Sequence, residues 1–237
     1  MQAALAELLA RAAPAATPVA LGLLELQADR QFHRIPQAER QPLVDDALAS
    51  GEQAARAVRA AHGTDDPQVL ARRLGVRVEV VAGEGGFGSV LVLADYVKRP
   101  PCIRLYAPAI DALDRRLEAY PDRDRLAAGT RAIFLAHELF HHVEGQQPSH
   151  ALAARHRMAL FALGPLKLTV GLASLAEIAA GAFAQHLLSL RYHPKLLDVV
   201  ALFARDPDAA RQLVDRLCAI GSYIQEEPCP PSIAARS

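Results

Sequence analysis

His137-Glu138-Leu139-Phe140-His141 is the stretch on which the reading of this chain turns. It sits in a segment of helical pattern, and helix residues four apart share one face. Both imidazoles can therefore reach a single divalent ion, with Zn²⁺ the expected one. Glu138 follows the first histidine, where its carboxylate can take a proton from a water activated by the metal. The helix is expected from about residue 125 to 144, with Asp122 or Asp124 as its cap and Gly145 at its end. Leu126, Ile133 and Phe134 fall on the same broad face as the histidines, which places the pair at the end of a buried stripe.

A catalytic zinc site needs a third protein ligand and an open position for water. The metzincin pattern would put a histidine where Gln147 stands and a glycine where Glu144 stands, so it is excluded. Glu177 is the best-placed carboxylate. On a helix expected from Ser174 to about Tyr192, steps of about 100° put Gly181, Ala184 and Leu188 on its face, with Ala180 beside them. These small residues allow the close approach that a short carboxylate ligand demands. A competing reading is local: Ser174-Leu175-Ala176-Glu177 is also a capping box, in which Glu177 returns to its own helix start. His150, His156, His186 and Asp198 are rival ligands, although His186 falls roughly opposite Glu177. Glu144 reads either as a carboxylate behind His141 or as a solvated helix-end charge. His142 points about 100° from the ligand face and reads as a surface or core histidine.

Composition narrows the function classes. The 237 residues are 51% hydrophobic and 22% charged, a globular balance. Formal net charge is zero, so the electrostatic footprint of a nucleic-acid binder is missing. The three cysteines are odd in number and form no C-x-x-C pair, which reads as free thiols in a reducing cytoplasm. Glu7 and Arg11 interrupt the apolar start, so an amphipathic helix is expected there and not a leader. The most apolar run, 168–183, is short for a membrane span and carries Glu177 near its middle.

Outward from the motif, residues 1–62 read as a helical extension broken by Pro14, Pro18, Pro36 and Pro42, without chemistry of its own. Asp66 and Pro67 start a helix that runs to Leu74 and stops at Gly75. Val76 to Val81 alternates as a strand, Ser89 to Val97 is a second and the expected sheet edge, and Cys102 to Tyr106 a third. Leu70 to Val76 resembles the opening of a helix-turn-helix, but its glycine leads into a strand pattern. Residues 146–166 read as irregular, with a helical patch at 151–163. Lys195 to Ile224 reads as two short helices divided near Asp206-Pro207, with a loose tail from Glu226.

Two motifs together resemble the ImmA/IrrE metallopeptidases: Thr130-Arg131-Ala132-Ile133-Phe134-Leu135-Ala136-His137-Glu138-Leu139-Phe140-His141-His142, and Glu177-x-x-Ala180-x-x-Phe183-Ala184-x-x-Leu187-Leu188. The order of elements over roughly residues 66–190 also fits. The resemblance implies an α+β, mostly helical fold. Its centre would be a minimal gluzincin core, the H-E-x-x-H helix and the Glu helix packed on a small twisted antiparallel or mixed sheet. Residues 63–193 would form that core, 1–62 an N-terminal extension and 194–237 C-terminal helices with a loose tail. It further implies Zn²⁺ held by His137, His141 and Glu177, with Glu138 as catalytic base. Family members are bacterial and phage cytoplasmic proteins, several of which cleave a helix-turn-helix repressor. A protein or peptide substrate is therefore expected, with no direct nucleic-acid or membrane contact. Transition-state charge needs a further donor; apart from the resemblance, an extended Glu helix would put Tyr192 about 60° from Glu177, with His193 just past it as the alternative. The chain departs from the family at Gly181, where an Asn or Asp usually holds a ligand histidine, and at Ser189-Leu190, where Met-Pro is usual. Gly181 keeps a second expectation open, a catalytically weak metal-stabilised binding module. A third is a membrane-associated gluzincin anchored by 168–183.

Overall fold

Local signals decide the first part of the sheet. In the computed structural model, which describes residues 2–83, 85–87, 90–118, 129–146, 151–163 and 166–226, Asp66 caps a helix by accepting from the backbone N–H of Gln68 and Val69. That helix is α4 (Pro67–Arg73), preceded in the chain by α1 (Gln2–Ala12), α2 (Pro18–Leu26), a 3₁₀ turn (Phe32–Arg34) and α3 (Gln37–His62). Gly75, at φ 71°, supplies the left-handed turn that releases the chain into β1 (Arg77–Val81). A small ribbon of β2 (Gly86–Phe87) and β3 (Val90–Leu91) follows, then β4 (Ala94–Val97) and β5 (Cys102–Tyr106). The main sheet has the order β1-β5-β4, with β1 parallel and β4 antiparallel to the central strand. The protein is thus mostly helical with a small mixed sheet, an α+β arrangement.

Next come α5 (Ala107–Glu118), α6 (Thr130–Gln146), α7 (Leu152–Arg155), β6 (Arg157–Leu163), β7 (Leu166–Gly171), α8 (Ala173–Leu187), α9 (Leu196–Phe203) and α10 (Pro207–Glu226). One apolar core gathers α3, α4, α6, α8 and β5 around Val44, Leu70, Ile103, Leu139 and Phe183. A second gathers α1, α2, α5, α9 and α10 around Leu9, Leu21, Leu113, Val200 and Val214, and Ile133 of α6 joins it. Among the described residues, no helix is long and apolar enough to cross a membrane.

Several expectations are corrected. The helical patch at 151–163 is one short turn followed by β6, which pairs with β7 as an antiparallel hairpin. A short apolar run does not distinguish strand from helix by periodicity. The second strand is interrupted, β3 ending at Leu91 and β4 starting at Ala94. Pro42 does not break α3, because in its second turn it forfeits only the bond to the Ala38 carbonyl, while Val44, Ala47 and Gly51 pack the helix into the core. The Glu helix stops at Leu187, short of Tyr192. Ser189 takes a left-handed φ of 53°, and Leu190 N–H donates to the Gln185 carbonyl at 2.9 Å, a Schellman-type stop without its usual glycine. Arg59 of α3 donates to the His186 and Leu187 carbonyls at 2.8 and 2.6 Å and reinforces that end. The proposed caps Asp122 and Asp124, the flank residue Leu126, the rival ligand His150 and the tail beyond Glu226 lie outside the described residues.

Candidate metal centre

α6 and α8 pack against each other and bring three sequence-predicted residues together. His137 Nε2 lies 3.1 Å from Glu177 Oε2, and His141 Nε2 lies 3.5 Å from Glu177 Oε1. The imidazole centroids are 5.2 Å apart. One donor atom from each residue falls within 4.8 Å of the others. Ligands about 2.0–2.2 Å from a tetrahedral ion stand roughly 3.3–3.6 Å apart; the 3.1 and 3.5 Å separations, each to a different Glu177 oxygen, are of that order. Two imidazoles and a carboxylate are a suitable donor set for a divalent ion.

Glu177 is placed by its helix, and its helix is held from outside. The Ser174 backbone N–H and hydroxyl donate to Asp29 Oδ2 at 3.2 and 2.9 Å, from the loop after α2. The start of α8 is therefore satisfied by Asp29, and the Glu177 carboxylate lies against the histidines instead of closing a capping box. Burial pushes the Glu177 pKa up, but the His137 hydrogen bond and the charges of His137, His141 and Lys195 prevail and bring it to about 2. Burial drives His141 down to about 4, assisted by His137 and opposed by Glu177. His137 is also pushed down by burial, yet the Glu177 hydrogen bond and nearby carboxylates leave it raised. Glu138 stands beside this group with its carboxyl pushed up to about 7, mainly by burial, with the charges of Glu177 and Asp95 adding and that of His137 opposing.

The other candidates go elsewhere. His156 Nε2 lies 2.6 Å from Asp46 of α3, and His186 Nδ1 lies 3.8 Å from Glu52. Glu144 accepts the Leu152 N–H at 3.0 Å and so caps α7. His142 is buried, accepts from Gln146 Nε2 at 2.8 Å and holds Tyr96 of β4 at 2.9 Å through its other nitrogen. This ties the edge strand to the histidine helix. Tyr192 packs with the second core, where burial raises its phenol to about 12.

His193 occupies a different place. After the turn at Ser189 the chain comes back over α8, and a Cβ at Gly181 would lie 2.7 Å from His193 Cε1 and 3.0 Å from Nε2. The imidazole fills the space that a side chain at 181 would take. Lys195 N–H donates to His193 Nδ1 at 3.3 Å, so the proton of the neutral ring sits on Nε2. Burial, helped by Lys195 and His137, lowers the pKa to about 3 and keeps the ring neutral. Nε2 is buried and has no hydrogen-bond partner among the described residues.

A cavity of about 240 Å³ opens beside the group. Its wall includes His137, Glu138, Glu177, Gly181 and His193, together with Glu25 and Lys195. The last two come from α2 and from the start of the C-terminal segment. Sequence reasoning missed both, since nothing local marks a residue as lining a site that tertiary packing assembles from separate helices. Comparison with known protein families finds no matching model, and no curated protein or solved structure matches the chain.

Proposed function

We propose that this protein is a zinc-dependent metallo-endopeptidase of the ImmA/IrrE type with a gluzincin core, acting in the cytoplasm on a regulatory protein such as a helix-turn-helix repressor. The observation that carries the reading is the convergence of His137, His141 and Glu177, with Glu138 beside them. His137, His141 and Glu177 would hold Zn²⁺. When bound, the ion supplies Lewis-acid polarisation of the scissile carbonyl and an acidified water.

The chain's own residues do the rest. Glu138 accepts the proton of the attacking water and returns it to the leaving amine. His193 Nε2–H supports the reading as a donor toward developing oxyanion charge, since it is neutral, protonated at that atom and unpaired. An extended substrate would pair with β4, the outer strand of the main sheet beside α6.

Gly181 favours a second reading, a metal-stabilised module that binds a regulator without cutting it. Metal content by mass spectrometry and cleavage of a peptide library separate the two. The peptidase reading expects Glu138→Gln to keep its zinc and lose cleavage, and Glu177→Ala to lose the metal. Wild type that carries zinc and cuts nothing supports the binding module. Glu177→Ala with a full equivalent of metal overturns the ligand set.

A further inference from the structure

The cavity beside the candidate metal centre has a mixed lining. His137, Glu138 and Glu177 belong to it. Leu21, Ile133, Phe134 and Ile178 add apolar surface, and Glu25, Lys195 and Asp198 add charge. Lys195 Nζ pairs with Glu25 and lies 2.7 Å from Asp198 Oδ2. One ammonium thus faces two carboxylates. If a divalent ion offsets Glu138 and Glu177, the remaining charged lining of the described cavity, Glu25, Lys195 and Asp198, retains one unneutralised negative charge. Asp198 keeps 47% of its side chain exposed, so it has free acceptor capacity toward an incoming group. His193, 4% exposed, also lines the cavity, and its Nε2–H is unpartnered among the described residues. An apolar stem, a cationic head and a backbone oxygen are what such a cavity pairs with.

We propose that this cavity receives a lysine or arginine side chain of the substrate next to the scissile bond, with Glu25 and Asp198 accepting its charged head. The proposal rests on the peptidase reading and names the substrate class for it. Lys195 is the positioning residue: it draws the two carboxylates from α2 and the start of α9 to one point. An acidic side chain is disfavoured there, because the one ammonium is already shared between two carboxylates. A purely apolar side chain would leave the carboxylates desolvated without a new partner.

The test uses full-length protein and begins with zinc titration followed by calorimetry. Amino-acid hydroxamates, which bind zinc themselves, are then compared with arginine, leucine and glutamate side chains. The arginine compound is expected to bind about tenfold more tightly than the leucine one, with the glutamate compound weakest. Asp198→Asn, at a half-exposed position, and Glu25→Gln are each expected to bring the arginine-to-leucine ratio toward one. Zinc binding with equal or reversed affinities overturns the proposal and leaves the metal centre standing. Failure to bind zinc overturns the metal centre and this proposal together. Zinc binding and arginine selectivity that survives both substitutions overturns the assignment to Glu25 and Asp198.

Discussion

Gly181 and His193 show what a single missing side chain does. Glycine leaves room over α8, and the imidazole that fills it comes from beyond the helix end. A side chain returned to 181 meets the ring of a buried histidine, not the loose end of a flexible chain. Gly181→Asn is therefore expected to destabilise the protein by about 1–3 kcal/mol. Adding His193→Ala should recover part of that loss, because it removes the obstructing ring. Urea unfolding of both single variants and the double variant measures this; additive losses would show that the two positions do not compete for one space. The residue scale is also where the sequence was most legible. His137, His141 and Glu177 were named from spacing, helix face and resemblance, and the structure brings their donor atoms together. The glycine was visible as a departure from the family pattern. Its filler was not, because reading the Glu helix through to Tyr192 put His193 on the wrong path, and Ser189 carries no sequence mark of a left-handed turn.

Elements hold the candidate site through α8, and α8 is gripped along its length by α3. A Cβ at Gly51 of α3 would fall 2.2 Å from the Ala179 carbonyl oxygen and 2.9 Å from Ala182 Cβ. Both obstacles belong to a packed helix, so Gly51→Ala is expected to cost about 1–3 kcal/mol by forcing the helices apart. Zinc affinity should fall with it, since Glu177 rides on the displaced helix; unchanged affinity in a destabilised variant would show that α3 does not set the site. A second tie runs from α3 to α7, where Asp46 pairs with Arg155 and His156. Burial raises the Asp46 pKa, but these two partners outweigh it and leave it lowered. A lowered carboxylate pKa stabilises the fold above the unfolded value, about 3.9, and loses that contribution as pH falls through the folded value. Asp46→Asn should thus melt below wild type near neutrality, with the two melting curves converging in acid; a constant gap across pH would exclude the pair as its cause. The pairing of helices was hidden from sequence reasoning, which saw only broken helical pieces in residues 1–62. Capped and alternating segments such as α4, β1 and β5 were legible because their signals are local. The β6–β7 hairpin was not, as its short apolar run fits two periodicities.

At the scale of the molecule, the candidate site lies where the two apolar cores meet. Leu21 and Ile133 of the cavity wall belong to one core and Ile178 to the other. Glu25 comes from the N-terminal helices, the histidines from the middle of the chain, and Lys195 and Asp198 from its last third. No stretch of sequence announces such an assembly, which depends on helices distant in the chain finding one another. A ligand held across α6 and α8 links the folding of both cores to its own binding, since the unfolded chain offers no preformed site. Zinc at a hundred times its dissociation constant would add about 2.7 kcal/mol, which for a chain of this size corresponds to a rise of roughly 5–10 °C in melting temperature. Chelation with EDTA should reverse that rise in wild type. Glu138→Gln should keep the response, because Glu138 is not among the three proposed ligands. Glu177→Ala should melt at one temperature with or without zinc, and a full zinc response in that variant would place the ion elsewhere on the molecule.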